Sequence, residues 1–199
     1  MEYTANHIHL CGVLAELPQL SHENYGKRFY RFPLEVERLS GTVDVLPVIV
    51  PEPVLCAMDL SGGEMLAVTG QIRTHNNKAQ VGRRLVVSVY AESLVSCSGP
   101  AENTVELTGT ICREPVCRKT PLGREICDVM LAVNRSYHRA DYIPCILWGR
   151  NAALGRFCQV GDTLHLTGRF QSREYIKMLG EESQLRTAYE VSAMTAEVV

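Results

Sequence analysis

Apolar and polar residues alternate through the second half of the chain with the two-residue period of half-buried strands. Val105, Leu107, Gly109 and Ile111 take one parity, and Thr104, Glu106, Thr108 and Thr110 the other. A turn at Pro121-Leu122-Gly123 leads into a second strand at about 124–135, with Val129, Leu131 and Val133 inward. The third strand, 141–149, turns Ile143, Cys145 and Leu147 to one side and Tyr142 and Trp148 to the other. Asn151 is placed to cap a short helix in which Leu154, Phe157 and Cys158 form an apolar stripe, and Gly161 ends it. The fourth strand, about 162–173, buries Leu164, Leu166 and Phe170. Its other parity shows His165, Thr167, Arg169, Gln171 and Arg173, with Tyr175 just beyond. A flexible loop from Ile176 to Leu185 then precedes a fifth strand at about 186–198.

The first half repeats this pattern at an offset near 97 residues. Asn6 to Gly12 returns as Asn103 to Gly109, and Gly12 and Gly109 each precede a proline, Pro18 and Pro115, by six. Leu34-Glu35-Val36-Glu37-Arg38 is echoed by Leu131-Ala132-Val133-Asn134-Arg135, and Asp44-Val45-Leu46-Pro47 by Asp141-Tyr142-Ile143-Pro144. Gly63 to Gly70 returns as Gly161 to Gly168, one residue further on. Two copies of one domain is the economical reading of a register held this long. The expected domains are residues 1–96 and 103–199, with Ser96-Cys97-Ser98-Gly99-Pro100 as linker. Strands interrupted by one helix between the third and fourth match a small Greek-key barrel. The predicted fold is all-β: two tandem five-stranded OB-fold barrels, each with one short helix between strands three and four.

Charge changes the picture more than composition does. The whole chain has a net charge of −2, a weak argument against bulk nucleic-acid binding. Between Arg113 and Lys177, however, eleven basic residues face six acidic ones, whereas residues 1–99 hold eight basic and ten acidic. The positive charge is concentrated in the second copy. No run has the length of a membrane helix and the start lacks a signal-peptide pattern, so a cytoplasmic protein is expected. The eight cysteines form no Cys-x-x-Cys pair and are expected as reduced thiols rather than metal ligands. His7 and His9 share a strand face and are expected on an exposed edge, with no third ligand nearby. No nucleophile elbow, zinc-protease helix or phosphate loop is present, so neither an enzyme nor a cofactor is expected.

Aromatic rings and arginines do carry a candidate chemistry. Tyr142 and Trp148, the one tryptophan of the chain, share a side of their strand, with Arg135, Arg139 and Arg150 close by. The fourth strand independently adds Arg169, Arg173 and Tyr175 on its non-core side. Single-stranded nucleic acid needs such a face, because every base has a π-surface to stack and every phosphate attracts a cation.

These residues resemble the bacterial single-stranded DNA-binding protein family. The second copy carries the resemblance over nearly all of 103–199: Glu114-Pro115, Thr120-Pro121-x-Gly123, Leu131 to Tyr137, Asp141-Tyr142-Ile143-Pro144-Cys145-x-x-Trp148-Gly149, and Gly168 to Arg173 followed by Tyr175. The resemblance implies base stacking on Tyr137, Tyr142, Trp148 and Tyr175. With it go phosphate contacts from Arg135, Arg139, Arg150, Arg169, Arg173 and Lys177. It also implies passive, largely sequence-independent binding of single-stranded DNA in replication, recombination or repair. A homodimer with four barrels is expected, since family members commonly assemble four. In the first copy the four ring positions fall on Ser40, Val45, Pro51 and Asn77, so a structural and dimerisation role is expected there, although Arg28, Arg31, Arg38, Arg73, Arg83 and Arg84 could meet phosphate. The family's acidic C-terminal tip has no counterpart at Ala196-Glu197-Val198-Val199, so recruitment of protein partners by that route is not expected. The rival reading is an interaction protein like the primosome accessory proteins of this superfamily, with weak nucleic-acid binding.

Overall fold

A computed structural model describes residues 6–77, 85–135, 139–179 and 182–199. The first copy forms β1 (Asn6–Leu14), β2 (Gln19–Asn24), β3 (Lys27–Glu37), β4 (Val43–Pro51), helix α1 (Glu52–Leu55), β5 (Met65–Asn76) and β6 (Leu85–Ser96). The second forms β7 (Glu102–Ile111), β8 (Val116–Lys119), β9 (Glu125–Arg135), β10 (Arg139–Trp148), helix α2 (Arg150–Gly155), β11 (Thr163–Leu179) and β12 (Glu182–Val198). All five strands expected in the second copy are there, with the helix in its expected place. A short extra strand, β2 or β8, joins each copy. β2 is exposed along its whole length, so it leaves no alternating pattern to read.

The strands run in the order β2-β3-β4-β6-β5-β1-β7-β11-β12-β10-β9-β8. Additional β3–β1 and β7–β9 pairings close each half into a barrel. The inward parities are those expected: Val129, Leu131, Val133, Ile143, Cys145, Leu147, Leu164, Leu166 and Phe170 are all buried. Burial pushes the Cys145 thiol far above its ordinary value.

The two halves meet along their first strands. β1 and β7 pair antiparallel with Ile8 opposite Val105, its own counterpart in the repeat. A pseudo-twofold axis therefore runs through that pair. Away from the axis, two buried carboxylates cross between the copies. Asp44 Oδ1 accepts from the Ser172 N–H at 2.7 Å and the Ser172 hydroxyl at 2.8 Å, and its two oxygens take both arms of Arg38. Asp141 Oδ1 accepts from the Thr74 N–H at 2.7 Å. Asp44 and Asp141 occupy the same position of the repeat, so each copy caps a strand of the other.

Several expectations are corrected. β1 is not an edge: it lies between β5 and β7, and His9 bonds Thr69. Helix α2 is preceded by Gly149 at φ 53°, a left-handed conformation suited to glycine. Asn151 donates to the Met194 carbonyl instead of capping the helix, and Phe157 points outward because the helix has already ended. The described part of Ile176 to Leu185, residues 176–179 and 182–185, is not a loop but the paired ends of β11 and β12 in a two-stranded ribbon. Four cysteines are not free thiols. Cys117 and Cys127 stand directly opposite on β8 and β9 and form a disulfide. Cys97, whose N–H bonds Met65 beside β1, pairs with Cys11. Cys56, Cys112, Cys145 and Cys158 are free. Among the described residues, no helix is long and apolar enough to cross a membrane, and no cluster of His, Cys, Asp or Glu is arranged to hold a metal ion.

Candidate nucleic-acid interface

β10 positions the central rings. Its inward residues lock Ile143, Cys145 and Leu147 into the core, which forces the even positions outward. Tyr142 is 46 % exposed and Trp148 37 %, on the same side of the strand. β12 runs parallel to β10 with Ile146 opposite Ser192, and Ser192 stands opposite Arg169 of β11. Those three side chains share the outward face. The Trp148 indole N–H donates to the Ser192 hydroxyl at 3.0 Å. That bond sets the polar edge of the ring against β12, at the residue opposite Ile146, which is buried although it lies on the outward parity. The result is a flat ring anchored at its polar edge, one strand away from a guanidinium.

The expected cations divide into three groups. Arg150 starts α2 just past Trp148 and is exposed, Arg169 is half-exposed on the outward face, and Lys177 is exposed on the ribbon. Arg173 also faces outward but is held by Glu190, with Nε and Nη2 donating at 3.0 and 3.3 Å. That bond raises the guanidinium's pKa, so it stays charged. Its centre lies 5.9 Å from the Tyr175 ring, joining Tyr175 to the same surface. Arg135 and Arg139 differ from the rest. They fall on the core parity of β9 and β10, at the strand ends. Arg135 turns toward Asp141, with Nε 3.6 Å from Oδ2 and, among the described residues, without a hydrogen-bond partner at that atom. Tyr137 lies outside the described residues, as do Arg83 and Arg84 of the first copy.

Three contributors have no sequence signal pointing to them. Ser192 orients Trp148. Arg186 stands opposite Tyr175 on the ribbon. A cleft of about 480 Å³ opens where the outward face meets the first copy, between Arg169, Gln171 and Met194 on one side and Arg38 and Leu39 on the other. That volume lies in the range of small-ligand pockets. Ser192 could have been suspected only from a known β10–β12 register, which the chain does not advertise.

Comparison with known proteins places this surface in a familiar context. Residues 102–199 match the model of the single-strand binding protein family. The chain is 38 % identical over 80 residues to single-stranded DNA-binding protein B of Bacillus subtilis, covering 37 % of this chain and 71 % of that protein. It is 34 % identical over 87 residues to single-stranded DNA-binding protein 1 of Lactococcus lactis, covering 40 % of this chain and 58 % of that one. The chain thus spans little more than half the length of the Lactococcus relative. The fold is also that of the single-stranded DNA binding protein from Thermus aquaticus, with a TM-score of 0.80 and 22 % identity over 98 % of this chain and 92 % of that one. With a ring-bearing outward face in the very segment that matches, the chain belongs to the single-strand binding protein family.

Proposed function

We propose that the chain binds single-stranded DNA without catalysis, mainly on the outward face of residues 103–199. The observation that carries this reading is the pairing of Tyr142 and Trp148 on one exposed side of β10, with Trp148 anchored to Ser192 beside Arg169. Bases stack on Tyr142, Trp148 and Tyr175, and on Tyr137 if the family pattern extends to it. Phosphates are met by Arg150, Arg169 and Lys177, which no carboxylate among the described residues holds, and more weakly by Arg173, which Glu190 already engages. Arg135 and Arg139 stand at the rim of the barrel and act on strand entry rather than on the platform. Stacking on flat rings tolerates any base, so little sequence preference follows. The reading includes a homodimer of two chains with four barrels.

Because Trp148 is the sole tryptophan, its fluorescence reports on this face alone. Titration with oligo-dT is expected to quench it to a saturating plateau, more tightly at low salt. An unchanged signal in a titration that saturates by another probe removes Trp148 from the site. Light scattering across a concentration series checks the dimer.

A further inference from the structure

The first barrel lacks rings at the four family positions, yet its outward face is not bare. On β3 the buried parity is Phe32, Leu34 and Val36, which turns Phe29 and Arg31 outward. Phe29 stands between His22 of β2 and Pro51 of β4. Arg31 stands opposite Ile49, Ile49 opposite Tyr90 of β6, and Tyr90 opposite Gln71 of β5. These ladders put His22, Phe29, Arg31 and Tyr90 on one side of four adjacent strands. The rings are already in contact: His22 and Phe29 stack at 4.8 Å with planes 8° apart, and Phe29 lies 6.5 Å from Tyr90. Arg73 lies over Tyr90 at 5.6 Å. Arg31 is exposed and has no ion pair among the described residues. Glu52, at the start of α1, is taken up by Arg28 at 2.7 Å and by the Tyr30 hydroxyl.

This cluster also connects to the second barrel. Arg73, which covers Tyr90, reaches Asp141 at 3.4 Å. The next residue, Thr74, accepts the Tyr142 backbone N–H at 2.8 Å. Tyr142 of one platform and Tyr90 of the other are therefore tied to neighbouring residues of β5.

We infer that the first barrel carries a second stacking platform for single-stranded nucleic acid, rebuilt from His22, Phe29, Tyr90, Arg31 and Arg73. A strand leaving the second barrel at Tyr142 crosses the seam at Arg73 and continues over Tyr90 and Phe29. The cations supply the phosphate contacts, and the guanidinium of Arg73 offers a further flat surface for a base. The inference rests on the function proposed above, and the test separates the two.

Two oligo-dT probes serve, one of about 10 nucleotides and one of about 35, below and well above the ~4–16 that one such barrel occludes. With the full chain, Phe29→Leu/Tyr90→Ser is expected to weaken the long probe about tenfold or more. The short probe, held on the tighter Trp148 face, keeps its affinity. Arg31→Glu, a surface change that leaves folding intact, is expected to weaken the long probe and make its salt slope about 0.7 shallower. Ultraviolet cross-linking of the long probe places thymidine adducts on the peptides containing Phe29 and Tyr90. Should both variants bind the long probe as the parent does, with no adduct on either peptide, while Trp148→Ala weakens both probes, the second platform is refuted and the proposed function stands. If the parent protein binds neither probe, both readings fall.

Discussion

At the scale of single residues, Trp148 is the ring whose loss the proposed binding face should feel most. Its ring is held by one hydrogen bond to Ser192 and by the stiffness of β10 below it. A stack on one base contributes about 1–3 kcal/mol. Trp148→Ala is therefore expected to weaken oligo-dT binding by roughly one to two powers of ten. The melting temperature should fall only slightly, because the ring is 37 % exposed and the core beneath is filled by Leu147 and Cys145. Ser192→Ala separates stacking from anchoring. It keeps the ring but frees its polar edge, so a loss of a few-fold is expected, about that of one exposed hydrogen bond. Isothermal titration at fixed salt measures both. If Ser192→Ala costs as much as Trp148→Ala, the hydroxyl itself touches the ligand and the anchoring account is wrong.

Among the elements, the β11–β12 ribbon stands apart from the barrels. β11 pairs with β7 only over Thr163–Gly168, and β12 with β10 only over Val191–Ala193, so beyond residue 173 each strand has just the other as neighbour. Replacing residues 174–187 by a two-residue turn removes Tyr175, Lys177 and Arg186, together with the exposed Ile176, Met178 and Leu185. None of the described residues among them belongs to the core, so thermal unfolding should be nearly unchanged. Affinity should fall about tenfold or more from the lost ring, and the salt slope should become shallower by about 1.4 from two lost cations. An unaltered slope in a salt titration would exclude the ribbon from the phosphate path. This element also marks where the sequence stops being legible. Strict alternation at 104–111 and 162–173 has one physical cause, a buried face, and it located those strands correctly. Past Arg173 both faces of the ribbon meet solvent, alternation no longer reports burial, and the segment reads as a loop. β2 escapes notice for the same reason. The rings of the first barrel were hidden differently. Phe29 lies on an identifiable strand, but Tyr90 owes its place to the β4–β6 and β5–β6 registers, and a fixed repeat offset near 97 does not reach it, because the segment before β6 differs in length from that before β12.

For the molecule as a whole, the question is what holds two barrels in one arrangement. The β1–β7 ladder joins them, but a single ladder of six residue pairs is a hinge line as much as a weld. The two carboxylates fix the angle. The repeat displays Asp44 and Asp141 at equivalent positions, yet their partners lie 128 and 67 residues away, beyond any local pattern. The pair is symmetric in placement and unequal in strength. Asp44 is fully buried, accepts two short bonds from Ser172, and receives Arg38 through two bonds of 2.7 and 2.6 Å. Arg38 also donates to the Ser172 carbonyl, so three groups converge across the seam. Asp141 has one short bond, from Thr74, and its arginines stand off at 3.4 and 3.6 Å. Removing one partner of a buried ion pair costs about 3–5 kcal/mol. Asp44→Ala should lie near the lower end, because Arg38 is 28 % exposed and water recovers part of its charge. Asp141→Ala should cost about 1–2 kcal/mol, the loss of one good bond to a buried N–H. The arginine side of the Asp44 clasp is insensitive to ordinary pH. Its hydrogen bond to Asp44 raises the Arg38 pKa, so the stabilisation is complete below the unfolded value and disappears only as pH climbs through the raised one. Urea unfolding at neutral pH reads both variants. The expected order is Asp44→Ala well below Asp141→Ala, and Asp141→Ala below the parent, in midpoint concentration. Equal midpoints for the two variants would mean that the first-strand ladder alone sets the arrangement, and that the asymmetry between the clasps has no energetic weight.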